Sequence, residues 1–84
     1  MSYSVFILRH AQDGLAGIRS ESYARIRDAI RALSQTPRPP GCLKLSGREG
    51  WRIRVGDYRV VYDVDDKQQK VTVLHMGHRR DVHR

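Results

Sequence analysis

Thirteen arginines and four histidines hold most of the chemistry that this 84-residue chain offers. Arg52 and Arg54 are separated by one residue, and Arg59 follows shortly after. Arg79 and Arg80 stand together between His78 and His83. A guanidinium is a planar fork of N–H donors that keeps its charge, so it matches the oxygens of a phosphate. Lysine, present at only three positions, brings a point charge instead. An imidazole takes or gives a proton near neutral pH. His83 is the histidine of most interest for that role, and a terminal tail without fixed structure is its competing reading. His75 sits in a strand-like stretch as a core or edge histidine, and His10 begins a loop or helix.

Other chemistries find little support. No two histidines have the helical i, i+4 spacing with an intervening carboxylate that a zinc hydrolase uses. Cys42 is the one cysteine, which leaves no internal disulfide and no cysteine zinc site. No base stands beside it in sequence, so it reads as a small apolar residue entering a strand. Gly-rich phosphate loops are absent. Neither metal nor cofactor is expected. Trp51 reads as a core anchor ahead of a base-stacking platform.

The pattern of apolar residues says how the arginines are positioned. Trp51, Ile53 and Val55 alternate with Arg52 and Arg54, which is the period of a strand. Tyr58, Val60, Tyr62 and Val64 alternate with Arg59, Val61 and Asp63 after a turn at Gly56-Asp57. If the apolar sets face a core, Arg52, Arg54 and Arg59 share the open face. Like charges so close repel unless an anion or acidic groups intervene. The same arginines also read as a solvated sheet face, with Arg59 paired to Asp57, Asp63 or Asp81.

Around these strands, Tyr3 to Leu8 is an expected opening strand. Ala11, Leu15 and Ile18 mark a short helix weakened by Gly14 and Gly17. Tyr23, Ile26, Ile30 and Leu33 form one apolar stripe of a second helix over 21–34, with Ser20 as its N-cap. Pro37, Pro39, Pro40 and Gly41 end it. Lys70 to Met76 is the last expected strand, ending at Gly77-His78. The expected fold is α+β: a strand, two helices, then a three-stranded antiparallel meander (β-α-α-β-β-β), with the helices on one sheet face.

Composition agrees with a basic surface. The 16 basic and 9 acidic residues leave a net charge of +7, which favours a polyanionic partner. The length fits one domain spanning residues 1–84 with a small core. No apolar run is long enough for a membrane span, and Tyr3 to Leu8 is too short for a signal-peptide core. A reducing, cytoplasmic setting is expected.

The stretch Trp51-Arg52-Ile53-Arg54-Val55-Gly56-Asp57-Tyr58-Arg59-Val60-Val61-Tyr62-Asp63-Val64-Asp65-Asp66 resembles the RelE/ParE superfamily of bacterial type II toxin–antitoxin toxins. The ending Val73-Leu74-His75-Met76-Gly77-His78-Arg79-Arg80-Asp81-Val82-His83 resembles its terminal strand, Gly-His-Arg and Asp/Glu-Val-Tyr pattern. The front half, with its strand, two helices, Pro-rich turn and Lys44-Leu45-Ser46-Gly47, agrees in layout. The RelE-like branch, which cleaves messenger RNA in the ribosome, is favoured. The ParE branch, which poisons DNA gyrase by protein contact, is the alternative, as is a non-catalytic basic relative that binds nucleic acid.

The resemblance implies a metal-free attack of the RNA 2′-hydroxyl on the scissile phosphate. Arg59 and Arg79 are expected to clamp that phosphate. Arg54 joins them, and with Arg52, Arg80 and Lys44 it holds the adjacent RNA backbone. His83 falls where many members have tyrosine, and it is expected to stack on a base or transfer a proton. Arginine is a good charge stabiliser and a poor general base, so Arg52 and Arg54 in place of the family's common lysines make His83 the candidate for proton transfer, or else shift the balance toward a binding-only toxin. The implied partners are an acidic cognate antitoxin, the ribosome and mRNA, with DNA reached only through the antitoxin and no membrane.

Overall fold

The computed structural model describes residues 2–47 and 49–78. Strand β1 spans Ser4–Ile7, helix α1 Arg9–Ala16 and helix α2 Ser20–Ala32. Strands β2 Leu43–Lys44, β3 Trp51–Val55, β4 Tyr58–Asp65 and β5 Lys70–His78 follow. All five strands join one sheet in the order β1-β5-β4-β3-β2. β1 runs parallel to β5, and the remaining pairs are antiparallel. The meander expected from the alternation is β3-β4-β5. The two-residue β2 extends it beyond the three expected strands, because Leu43-Lys44 pairs with Arg52 and Trp51.

Local chemistry explains the elements. Gly56 takes φ +60° at the β3–β4 turn, where a two-residue hairpin needs a left-handed first position. α2 starts one turn position earlier than Ser20 capping requires. Arg19 O accepts from Tyr23 N–H at 2.8 Å, so Arg19 holds the N-cap, without a side-chain cap. Ser20 is thereby the first helical residue rather than the expected cap.

The core lies between the helices and one sheet face. Ile26, Ile30, Leu33 and Ala11 pack with Ile53, Val60, Tyr62, Val71, Val73 and Met76. Tyr23, expected in the same apolar stripe, stays 39% exposed at the stripe's edge. The Tyr62 hydroxyl, buried in the core, donates to Pro37 O at 2.7 Å and so anchors the loop after α2.

Two features near β5 shape everything that follows. β1 pairs only with Lys70 to Val73 of β5, and α1 packs on β5 beyond β1. Gly14 makes that approach possible: a Cβ there would lie 3.0 Å from Met76 Cγ and 3.1 Å from Met76 O. The second feature is a bulge. Val61 pairs with His75 while Tyr62 pairs with Val73, which leaves Leu74 as the extra residue. The buried positions of β5 are accordingly Val71, Val73 and Met76. Strict alternation would have buried position 75.

Candidate functional site

Residues directly opposite each other across strands share a sheet face. Arg54 of β3 pairs with Arg59 of β4, which pairs with Gly77 of β5. Arg52 pairs with Val61, which pairs with His75. Val60 and Tyr62 point into the helix-side core, so Arg59 and Val61 point the other way. Arg52, Arg54 and Arg59 therefore meet on the face that carries no helix. Gly77 presents no side chain beside Arg59.

The electrostatics of this cluster are unfavourable as it stands. Desolvation, followed by the charges of Arg59 and Arg54, lowers the Arg52 pKa below its ordinary value. Arg59 Nε is buried and has no hydrogen-bond partner among the described residues. Neither Asp57 nor Asp63 makes an ion pair with Arg59: the ion pairs among the described residues are Arg9–Asp13, Arg27–Asp28 and Arg38–Asp66. A buried guanidinium donor without an acceptor costs free energy, and like charges placed directly opposite add to it. An oxyanion lying across Arg54, Arg59 and Gly77 relieves the repulsion.

The other expected site residues divide. Lys44 does not join the cluster, which corrects its expected place on the RNA backbone. Its register partner is Trp51, a residue packed against the core, so Lys44 lies on the helix-bearing side of the sheet. Its Nζ sits 5.4 Å from the Trp51 ring centroid, and Arg38 sits 5.1 Å from the same ring. Charges over an indole face are stabilised where they are. Arg79, Arg80, Asp81 and His83 lie outside the described residues.

Two arrangements were not legible in the sequence. His10 Nε2 and His75 Nδ1 lie 2.9 Å apart, joining α1 to β5. The pair is separated by 65 positions, beyond the reach of any local pattern. Asp66 accepts from Tyr3 Oη at 2.8 Å and from both terminal nitrogens of Arg38. That cluster ties β1, the proline loop and the β4–β5 turn together. Among the described residues, no three His, Cys, Asp or Glu side chains converge on a metal position. No described helix is long and apolar enough to cross a membrane.

The family model of the ParE toxin of type II toxin–antitoxin systems, parDE, matches residues 5–83. The chain belongs to this family. It is a toxin of a toxin–antitoxin system, and the resemblance carried by Trp51 to Asp66 and by the Gly77-His78-Arg79 ending holds. Solved structures agree on the fold. The archaeal RelE–RelB complex from Pyrococcus horikoshii has a chain similar to this toxin with a TM-score of 0.85 and 28% identity, over 98% of this chain and 100% of that one. The Mycobacterium tuberculosis toxin–antitoxin complex RelBE2 gives 0.83 at 23% identity, over 93% and 99%. A mutant Escherichia coli RelE in complex with an antitoxin RelBc peptide gives 0.77 at 25%, over 93% and 84%. A search of curated protein sequences finds no match. The first two of these neighbours were solved as complexes of a toxin with its antitoxin.

Proposed function

We propose that this toxin is a ribosome-dependent endoribonuclease that cuts messenger RNA without a metal. The observation that carries the reading is Arg59. Its Nε is buried without an acceptor among the described residues, Arg54 stands directly opposite, and desolvation together with these two charges lowers the Arg52 pKa. Such a cluster supports a bound phosphate better than it supports the empty protein. RNA carries its own nucleophile, so the protein's task is to align it and to stabilise the charge that builds on phosphorus.

In this reading Arg59 and Arg54 hold the non-bridging oxygens of the scissile phosphate, and Arg52 holds the adjacent backbone. Arg79 and Arg80, which follow β5 directly, add to the clamp. Attack by the 2′-oxygen forms the O2′–P bond and breaks the P–O5′ bond. The products are a 2′,3′-cyclic phosphate and a 5′-hydroxyl. The ribosome supplies the alignment of the RNA, so free RNA is cut poorly.

Programmed ribosomes incubated with the purified toxin, with message ends mapped by primer extension, test the reading. Cuts that disappear in Arg59→Ala support it. Arg54→Ala should lower cleavage by about 10²-fold or more, the usual effect of losing one oxyanion donor. The matching family also favours a second reading, in which the basic face docks on DNA gyrase. That reading predicts intact message and accumulated DNA breaks in a gyrase assay.

A further inference from the structure

The bulge in β5 places a histidine on the arginine face. Val71 and Val73 are buried, and strict alternation would carry position 75 into the core beside them. The extra residue Leu74 reverses the phase, so that Met76 enters the core and His75 pairs with Val61 on the opposite face. Bulges re-aim side chains in this way, often beside active sites. Arg59 pairs with Gly77, two residues further along β5, which makes His75 the diagonal neighbour of Arg59. Diagonal neighbours stand about 7–8 Å apart, a gap that a phosphodiester held by Arg59 would span.

His75 is also held in place. His10 of α1 meets it with 2.9 Å between Nε2 and Nδ1. The ring centroids are 5.0 Å apart, with 18° between the ring planes. That separation is close to the nitrogen–nitrogen distance plus the two ring radii. The rings therefore meet edge to edge in nearly one plane, as a linear hydrogen bond requires. Gly14 lets α1 approach Met76 closely enough to bring His10 to this position.

Resting on the RNA-cleavage reading, we propose that His75 is the general base that takes the proton from the RNA 2′-hydroxyl, and that His10 is its positioning residue. With Nδ1–H of His75 donating to His10 Nε2, the lone pair of His75 Nε2 is free for that proton. As the proton moves to Nε2, the O2′–P bond forms and the P–O5′ bond breaks. The leaving oxygen takes one proton from solvent, and His75 later returns its own, so no net proton is consumed. The positive charge on His75 is shared across the hydrogen bond to His10.

The surroundings suit a base that is neutral at pH 7. Desolvation first, and the neighbouring His10 second, hold the His75 pKa below the ordinary histidine value. His10 from α1 faces it, Tyr58 of β4 and His78 of β5 line the same pocket, and the register sets Arg59 of β4 diagonal to it and Arg52 of β3 one strand further. Arg9 and Asp13 of α1 are exposed and lie 3.9 Å from each other. Among the described residues, no carboxylate hydrogen-bonds to either ring of the pair.

The test is the pH profile of message cleavage on programmed ribosomes, for wild type, His75→Gln, His75→Ala and His10→Ala, with His83→Ala alongside. His75→Gln should cut at least about 100-fold more slowly at pH 7.5 and lose the acid limb of the profile. His10→Ala should cut more slowly, with its acid limb moved to higher pH because uncovering His75 relieves the desolvation that holds its pKa down. Added imidazole should restore part of the His75→Ala activity, which a misfolded variant would not show. Cleavage by His75→Gln at the wild-type rate and profile overturns the proposal and leaves the RNA-cleavage reading standing. Loss of activity with no rescue and an unchanged acid limb also overturns it, because the pair then only pins α1 to β5. An intact message with wild type removes the RNA-cleavage reading itself, and the base with it.

Discussion

If the arginine face is built for an anion, removing its central charge should make the empty protein more stable. Arg59→Met is the cleanest perturbation, because methionine keeps most of the alkyl stem and discards the guanidinium. Two contributions are lost. Arg59 Nε is buried without a partner among the described residues, and an unsatisfied buried donor costs about 1–3 kcal/mol. Arg59 also stands directly opposite Arg54. Two unit charges about 7 Å apart repel by about 0.6 kcal/mol at the dielectric of water and by about 2.4 kcal/mol at an effective value near 20. Lost packing of the guanidinium offsets part of this. A net gain of about 1–2 kcal/mol follows, equivalent to a rise of about 4–8 °C in Tm per kcal/mol for a domain of this size.

Urea and thermal unfolding at low ionic strength measure the gain. Salt screens exposed charges, so the gap between Arg59→Met and wild type should narrow as salt rises. Phosphate should stabilise wild type more than the variant, since only the folded wild type offers it the complete clamp. A variant less stable than wild type by about 1 kcal/mol, the usual cost of a point mutation, would refute the reasoning. Arg59 would then be a structural residue whose contacts outweigh its charge.

Three further outcomes follow from the fold. Tyr62→Phe removes the hydrogen bond to Pro37 O while keeping the ring in the core, and should lower stability by about 1 kcal/mol in urea unfolding; an unchanged midpoint would mean that water replaces the bond. Gly14→Val places a branched side chain where even a Cβ would stand 3.1 Å from Met76 O, and should lower the stability measured by urea unfolding by about 1–3 kcal/mol as α1 is pushed off β5. The carboxyl of Asp66 is held below its ordinary pKa by hydrogen bonds from Arg38 and then Tyr3. A carboxylate depressed by folding contributes stability that is present above its unfolded pKa and lost as pH falls through the folded one. Asp66→Asn should therefore flatten the stability profile below about pH 4, and unfolding curves collected between pH 2 and 7 check it.

Periodicity carried most of the architecture. The alternation through Trp51, Ile53 and Val55, and again through Tyr58, Val60 and Tyr62, has the two-residue period of a strand, and it put Arg52, Arg54 and Arg59 on one face before any pairing was known. Val60 and Tyr62 do enter the core, and Arg54 and Arg59 do oppose each other. Proline at 37, 39 and 40 ended α2 for the local reason that its ring forbids further helix. The family ending at Gly77-His78-Arg79 was equally legible, because it is a contiguous string.

Register, however, is a property of pairs of strands. Lys44 looked like one more cation beside the arginines, and only its pairing with Trp51 sends it to the other side of the sheet. A shift of one residue exchanges the two faces of a strand, so a two-residue strand such as β2 cannot declare its face by pattern. Likewise, the chain from Val71 to Met76 contains no signal that fixes where its alternation slips. The slip at Leu74 is decided by the demand that Met76 fill the core against α1 while Val73 fills it against Tyr62. His75 is turned outward as a consequence, and α1, seated on β5 through Gly14, brings His10 to it from 65 positions away. The sequence determined which residues are basic and which face most of them share. Long-range packing decided which histidine stands beside them, because that choice depends on how two distant segments fill one core.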